Sequence, residues 1–136
     1  MIESIEYTSR RDVERRVACS RTVLLSIRGV DEREPRLPRG WADVLPMTFD
    51  DVVPGEGFGC EEPMTDEQAK EISAWIGRWR QSPQGVKLLI HCNAGVSRSA
   101  AVALWAGQTL GCSVKGVEGD GRDANPHVAS LLAGAP

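Results

Sequence analysis

Apolar positions recur along the 136 residues with two periods. Strand-length runs rich in β-branched and aliphatic side chains occupy residues 2–7, 22–27, 42–49 and 86–90. Pro46 assigns the third run to an edge, or to a point where no ladder N–H is needed. A 3.6-residue period joins Ala69, Ile72, Ile76 and Trp79 into a buried stripe, with Trp75 beside it. Thr65-Asp66-Glu67-Gln68 reads as the capping box that starts this helix. Residues 100–110 favour a second long helix, which Gly111 closes in a left-handed cap. Ser9 caps a short early helix whose Val13 and Val17 lie one turn apart. Asn125-Pro126 opens a last one, with Val128, Leu131 and Leu132 turned inward.

The intervening segments are polar. Residues 29–41, with Pro35, Pro38 and Gly40 among alternating charges, are expected as a surface loop. Trp41 at its end is expected in core packing. Residues 114–122 are glycine-rich and charged, hence loop or a poor helix. Strands alternating with helices give an α/β fold: one domain over residues 1–136, with a central, mostly parallel sheet of four to five strands flanked by helices.

The run at 86–90 stops abruptly at His91-Cys92, and the chain resumes as helix. A short loop therefore sits at a helix N-terminus, where free N–H groups and the helix dipole favour an anion such as phosphate. A thiol at that place, beside the guanidinium of Arg98, is expected as a thiolate nucleophile. Five residues separate Cys92 from Arg98, so the loop can curl and the guanidinium can take two oxygens of one phosphoryl group. Asn93, Ala94, Gly95, Val96, Ser97 and Arg98 are the candidate phosphate-binding positions, Gly95 letting the backbone approach closely. A buried, inert cysteine is the plain alternative, but it leaves the arginine without a purpose.

His-Cys, five residues and Arg-Ser, between a strand and a helix, resemble the signature loop of the cysteine-dependent protein tyrosine phosphatases, more narrowly the small dual-specificity type. The resemblance covers residues 45–110 strongly and the flanks weakly. It implies that Cys92 attacks phosphorus, that Arg98 binds the phosphoryl oxygens and that Ser99 helps the thiolate leave. It also implies a general acid on a loop after a neighbouring strand, and the Leu45-Pro46-Met47-Thr48-Phe49-Asp50-Asp51 approach gives that role to Asp51. Asp50 is the alternative acid, because a one-residue shift of the strand end exchanges their directions. Glu56, Glu61 and Glu62 rank below them, in a glycine-rich stretch that makes the acid-to-cysteine separation longer than in compact family members. His91, on the opposite face from Cys92, is expected to orient the loop by hydrogen bonding to backbone. Neither metal nor cofactor is implied.

Composition narrows the partners. A net charge of −3 argues against nucleic acid, and no apolar run is long enough to span a membrane. Arg10, Arg11, Arg15 and Arg16 are expected as a solvated face, with a docking patch as the alternative. The start lacks a secretion signal, so a reducing cytoplasmic setting is expected. Cys19, Cys60, Cys92 and Cys112 show no ligand spacing and no disulfide framework. Cys60 is the candidate redox partner of Cys92.

The expected substrate is a phosphorylated protein or peptide carrying phosphotyrosine, and phosphoserine or phosphothreonine in a shallow pocket. Val96 and Ser97 stand where phosphoinositide-directed relatives tend to carry Lys, which disfavours a lipid head group. A nucleic-acid end, a metabolite phosphate and a non-catalytic phosphate-binding module are the alternatives. Arsenate reductases and sulfur transferases also use a loop cysteine, but at another chain position or with another cysteine-to-arginine spacing.

Overall fold

The apolar runs pair into one sheet in the computed structural model, which describes residues 1–135. Its strands are β1 (Ile2–Ser9), β2 (Thr22–Arg28), β3 (Asp43–Thr48), β4 (Val86–Cys92) and β5 (Val114–Gly116). They lie in the order β3-β2-β4-β1-β5, and every pairing is parallel. Pro46 is on edge strand β3, where a missing N–H costs no second ladder.

A parallel sheet must be covered on both faces, and here the two covers differ. Alternation along β2 and β4 sends Val23, Leu25, Ile27, Leu88 and Ile90 into a large core, and Leu24 and Leu89 to the opposite side. Helices α2 (Asp66–Gln81), α3 (Arg98–Leu110) and α4 (Pro126–Ala133) complete the large core. Small residues on α3, Ala100, Ala103 and Ala106, let that helix lie close against the sheet. The thinner side, to which Val44 of β3 also contributes, is covered by Val13 of α1 (Arg10–Arg15) together with Leu37 and Trp41. Full burial of Leu24 and of Leu89 on this thinner side contributes about 1.5–3 kcal/mol each.

The helix ends obey local chemistry. Ser9 Oγ accepts from Asp12 N at 3.1 Å. Thr65 and Gln68 form the reciprocal capping box, at 3.1 and 3.0 Å. Asn125 Oδ1 accepts from His127 N and Val128 N. Gly111 ends α3 with φ of 70°.

Several expectations are corrected. Residues 114–122 begin with a strand: Val114 and Gly116 pair with Ile5 and Tyr7 of β1. The first helix stops at Arg15, and Val17 is 91% exposed, so it belongs to no buried face. The loop at 29–41 is not wholly superficial, since its Leu37 and Trp41 pack on the second core. Arg16 leaves the solvated set: it pairs with Glu6 and with Asp12, and Lys87 joins it on Glu6. Burial alone would raise the Glu6 carboxyl, but these two cations hold it below its ordinary range. On α2 the buried residues are Ala69, Ile72, Trp75 and Ile76, with Trp79 half-buried, because both indoles turn toward Asp43 Oδ2 at 2.9 and 3.3 Å. Among the described residues no helix is long and apolar enough to cross a membrane.

Candidate active site

Because all five strands are parallel, their C-terminal ends share one edge of the sheet, where an α/β fold opens its crevice. Each end delivers something to the loop after β4. Cys92 is the last residue of β4, and Arg98 the first of α3. From the end of β1, Arg10 N donates to Asn93 O at 3.2 Å. The connection after β2 brings Glu32, the one after β3 brings Phe49 and Asp51, and Gly119 after β5 lies against Val96.

The loop curls around sulfur. Gly95 N and Ser99 N point at Cys92 Sγ from 3.3 and 3.5 Å, and Ser99 Oγ lies 3.1 Å from it. Two backbone N–H groups and the Ser99 hydroxyl therefore converge on one sulfur atom at the head of a helix. Gly95 is required twice. Its φ is 77°, and a Cβ there would stand 2.5 Å from backbone atoms of Thr8 and Ser9. Cys92 itself is only 2% exposed, at the floor of a loop whose Asn93 and Ala94 are exposed.

Arg98 is 5% exposed and held on both terminal nitrogens. Nη1 donates to Phe49 O at 2.9 Å, and Nη2 to Glu32 Oε1 at 3.1 Å. Its Nε is buried without a hydrogen-bond partner, and so is Glu32 Oε2. A buried donor left unsatisfied costs about 1–3 kcal/mol, so Arg98 keeps one N–H ready for an incoming acceptor. Glu32 was not singled out in the sequence. It lies in the charged 29–41 stretch, and only the return of that loop over the sheet brings it to Arg98. Glu14 fixes that return, receiving Arg33 and the Arg36 amide, which together hold its carboxyl far down, at about 2.

The two aspartates separate cleanly. Asp50 accepts from Val30 N at 3.0 Å and Glu62 N at 2.8 Å, so it clamps two loops and has no oxygen left over. Asp51 turns to the loop after β4: its Oδ1 accepts from Ser97 Oγ at 2.7 Å and from Asn125 Nδ2 at 2.8 Å. Asn125 was expected only as a helix cap. Its Oδ1 does cap α4, while its amide nitrogen ties Asp51 to that helix. Glu61 spends its carboxylate on Phe58 N, and Glu62 is exposed.

His91 is fully buried, with Nε2 2.6 Å from Ser26 Oγ and Nδ1 at 3.4 Å from Cys92 O. The short contact is thus to a side chain of β2, and the contact to backbone is at the limit of a hydrogen bond. Burial pushes the imidazole down to about 4 from its ordinary 6.5. A neutral ring fits both contacts when Ser26 donates to Nε2 and Nδ1–H faces the Cys92 carbonyl.

All four cysteines are free, Cys19 and Cys60 exposed and Cys112 half-buried. Among the described residues no group of three or more His, Cys, Asp or Glu is gathered to hold a metal ion. Compared with known proteins, the chain matches no family model, no curated protein and no solved structure.

Proposed function

We propose that the protein is a phosphomonoester hydrolase of the cysteine-dependent tyrosine phosphatase type, acting on phosphotyrosine and also on phosphoserine or phosphothreonine in proteins or peptides. The observation that carries this reading is the convergence of Gly95 N, Ser99 N and Ser99 Oγ on Cys92 Sγ, in a loop that ends at Arg98, whose Nε is buried without a hydrogen-bond partner. A reducing, cytoplasmic setting suits such a thiolate.

In the first step Sγ attacks phosphorus in line and the bond to the ester oxygen breaks. Arg98 and the amides of residues 93–98 meet the charge on the three remaining oxygens. Asp51 donates the proton that the leaving oxygen needs. Both of its hydrogen bonds fall on Oδ1, so Oδ2 is the oxygen available to carry that proton. In the second step Asp51, now a carboxylate, takes a proton from water as that water attacks phosphorus. The sulfur–phosphorus bond breaks, and the Ser99 hydroxyl stabilises the departing thiolate. Glu32 keeps the guanidinium in register without touching substrate.

One observation favours a second reading. Cys92 is nearly enclosed and Arg98 already holds two partners, as a loop that binds an anion without turning it over would be. Hydrolysis of p-nitrophenyl phosphate in chelator separates the two. Turnover by the wild type and none by Cys92→Ser supports the enzyme; phosphate binding without turnover supports the binder.

A further inference from the structure

Helix α4 comes last in the chain, yet its first turn reaches both loops of the candidate site. Asn125, which precedes it, is 3% exposed, and each of its polar atoms has a partner. Its Oδ1 accepts from His127 N at 2.9 Å and Val128 N at 3.2 Å, capping the helix. Its Nδ2 donates to Asp51 Oδ1 at 2.8 Å and to Val52 O at 3.3 Å. Its main-chain N–H donates to Ser97 O at 3.1 Å, inside the loop from Cys92 to Arg98. One buried residue thus bonds the cysteine loop through its backbone and the aspartate loop through its side chain.

The next contact extends the hold. His127 donates from Nε2 to Met64 O at 2.9 Å, at the far end of the connection that begins at Asp51. That connection is fastened to α4 at both ends, while its middle, residues 54–60, is exposed. The helix that fastens it is itself fixed by Val128 and Leu132 in the large core.

Capping alone does not call for an amide. Serine and threonine satisfy a helix N-terminus with one oxygen as asparagine does. What asparagine adds is a donor on the same planar group, and here the cap directs that donor at Asp51. We propose that Asn125 is a positioning residue for the acid: it holds Asp51 by Oδ1 at a set distance from the Cys92 loop and leaves Oδ2 for the proton. The proposal rests on the phosphatase reading, with Asp51 as its acid. Asn125 touches neither the phosphoryl group nor the leaving group; Asp51 carries its effect.

Asn125→Ser and Asn125→Thr keep the capping oxygen and remove the donor, and the main-chain bond to Ser97 O does not depend on the side chain. The test measures kcat and KM of both variants with p-nitrophenyl phosphate and with phenyl phosphate, whose leaving oxygen needs the proton more. For phenyl phosphate kcat should fall about 10–10²-fold, with a smaller loss for p-nitrophenyl phosphate and KM within about twofold of wild type. In the Asp51→Ala background the same substitutions should remove nothing further, because the group they position is gone. Unchanged kcat in both variants, equal losses for the two leaving groups, or a loss repeated in the Asp51→Ala background overturns the proposal and leaves the phosphatase reading intact. Failure of the wild type to hydrolyse p-nitrophenyl phosphate overturns that reading, and the proposal with it.

Discussion

The two loops that meet at the candidate site are built by opposite means. The one from Cys92 to Arg98 is short and walled in by the ends of β1, β2 and β3, and a Cβ at its Gly95 has no room. The one from Val52 to Glu62 is largely exposed, and its Gly55 and Gly59 face open space. Packing holds the first, whereas carboxylates, Asp50 and Glu61, tie down the second through backbone amides. Cys92 thus sits where the structure is over-determined, and the exposed loop beside it is the part that can vary.

That contrast makes ordered predictions. The largest effect on chemistry with the fold retained is at the acid: Asp51→Ala should lower turnover about 10²–10⁴-fold, as loss of a general acid does, and should also cost about 1 kcal/mol of stability because Asn125 Nδ2 loses its 2.8 Å acceptor. Steady-state kinetics with p-nitrophenyl phosphate and with an aryl phosphate of poorer leaving group check it, the second substrate suffering more. Next comes the glycine pair. Gly95→Ala should destabilise by about 3 kcal/mol or more and abolish turnover, from left-handed strain plus a backbone clash. Gly59→Ala, with the same sign of φ but nothing within 4 Å, should cost about 1 kcal/mol and leave turnover near wild type. Equal losses in urea midpoint for the two would erase the distinction between the loops.

Acid should act on the packed side first. His91 is neutral in the fold down to about 4 and titrates at its ordinary 6.5 when unfolded. The unfolded chain therefore binds the proton first, and stability is lost as pH falls from 6.5 toward 4, by roughly 3 kcal/mol in all. Glu6, held below its ordinary 4.5, adds its own loss only beneath that value. Urea melts across this window should show the decline, and His91→Asn should flatten it. Smallest is Asp50→Ala, which leaves the exposed Val30 and Glu62 amides to water and should cost about 0.5–1.5 kcal/mol for each hydrogen bond lost. Its turnover should fall less than that of Asp51→Ala; the reverse would exchange the two roles.

Much of this was readable from the chain where the signal is local. The strand that stops at Cys92, the capping box at Thr65 and the Asn125 cap each lie within a few residues, and each appears where expected. The features that escaped depend on return of the chain. Strand β5 is three residues long, and only its pairing with β1 makes it a strand. Glu32 looks like any loop carboxylate until Arg98 is beside it, 66 residues away. Asp50 and Asp51 differ by one position, and only the return of the chain shows that Asp50 accepts from the amides of Val30 and Glu62 while Asp51 faces Ser97 and Asn125. Arg16 reads as solvated until Glu6 of the adjacent strand takes it up.

The central claim is that Cys92 sulfur receives the phosphoryl group. Acid quench of the enzyme during turnover of p-nitrophenyl phosphate, followed by peptide mass spectrometry, tests it directly. The account predicts phosphate on the peptide bearing Cys92, more of it in Ser99→Ala as breakdown slows, and none in Cys92→Ser. Turnover that persists in Cys92→Ser, or phosphate recovered on any other residue, would contradict it.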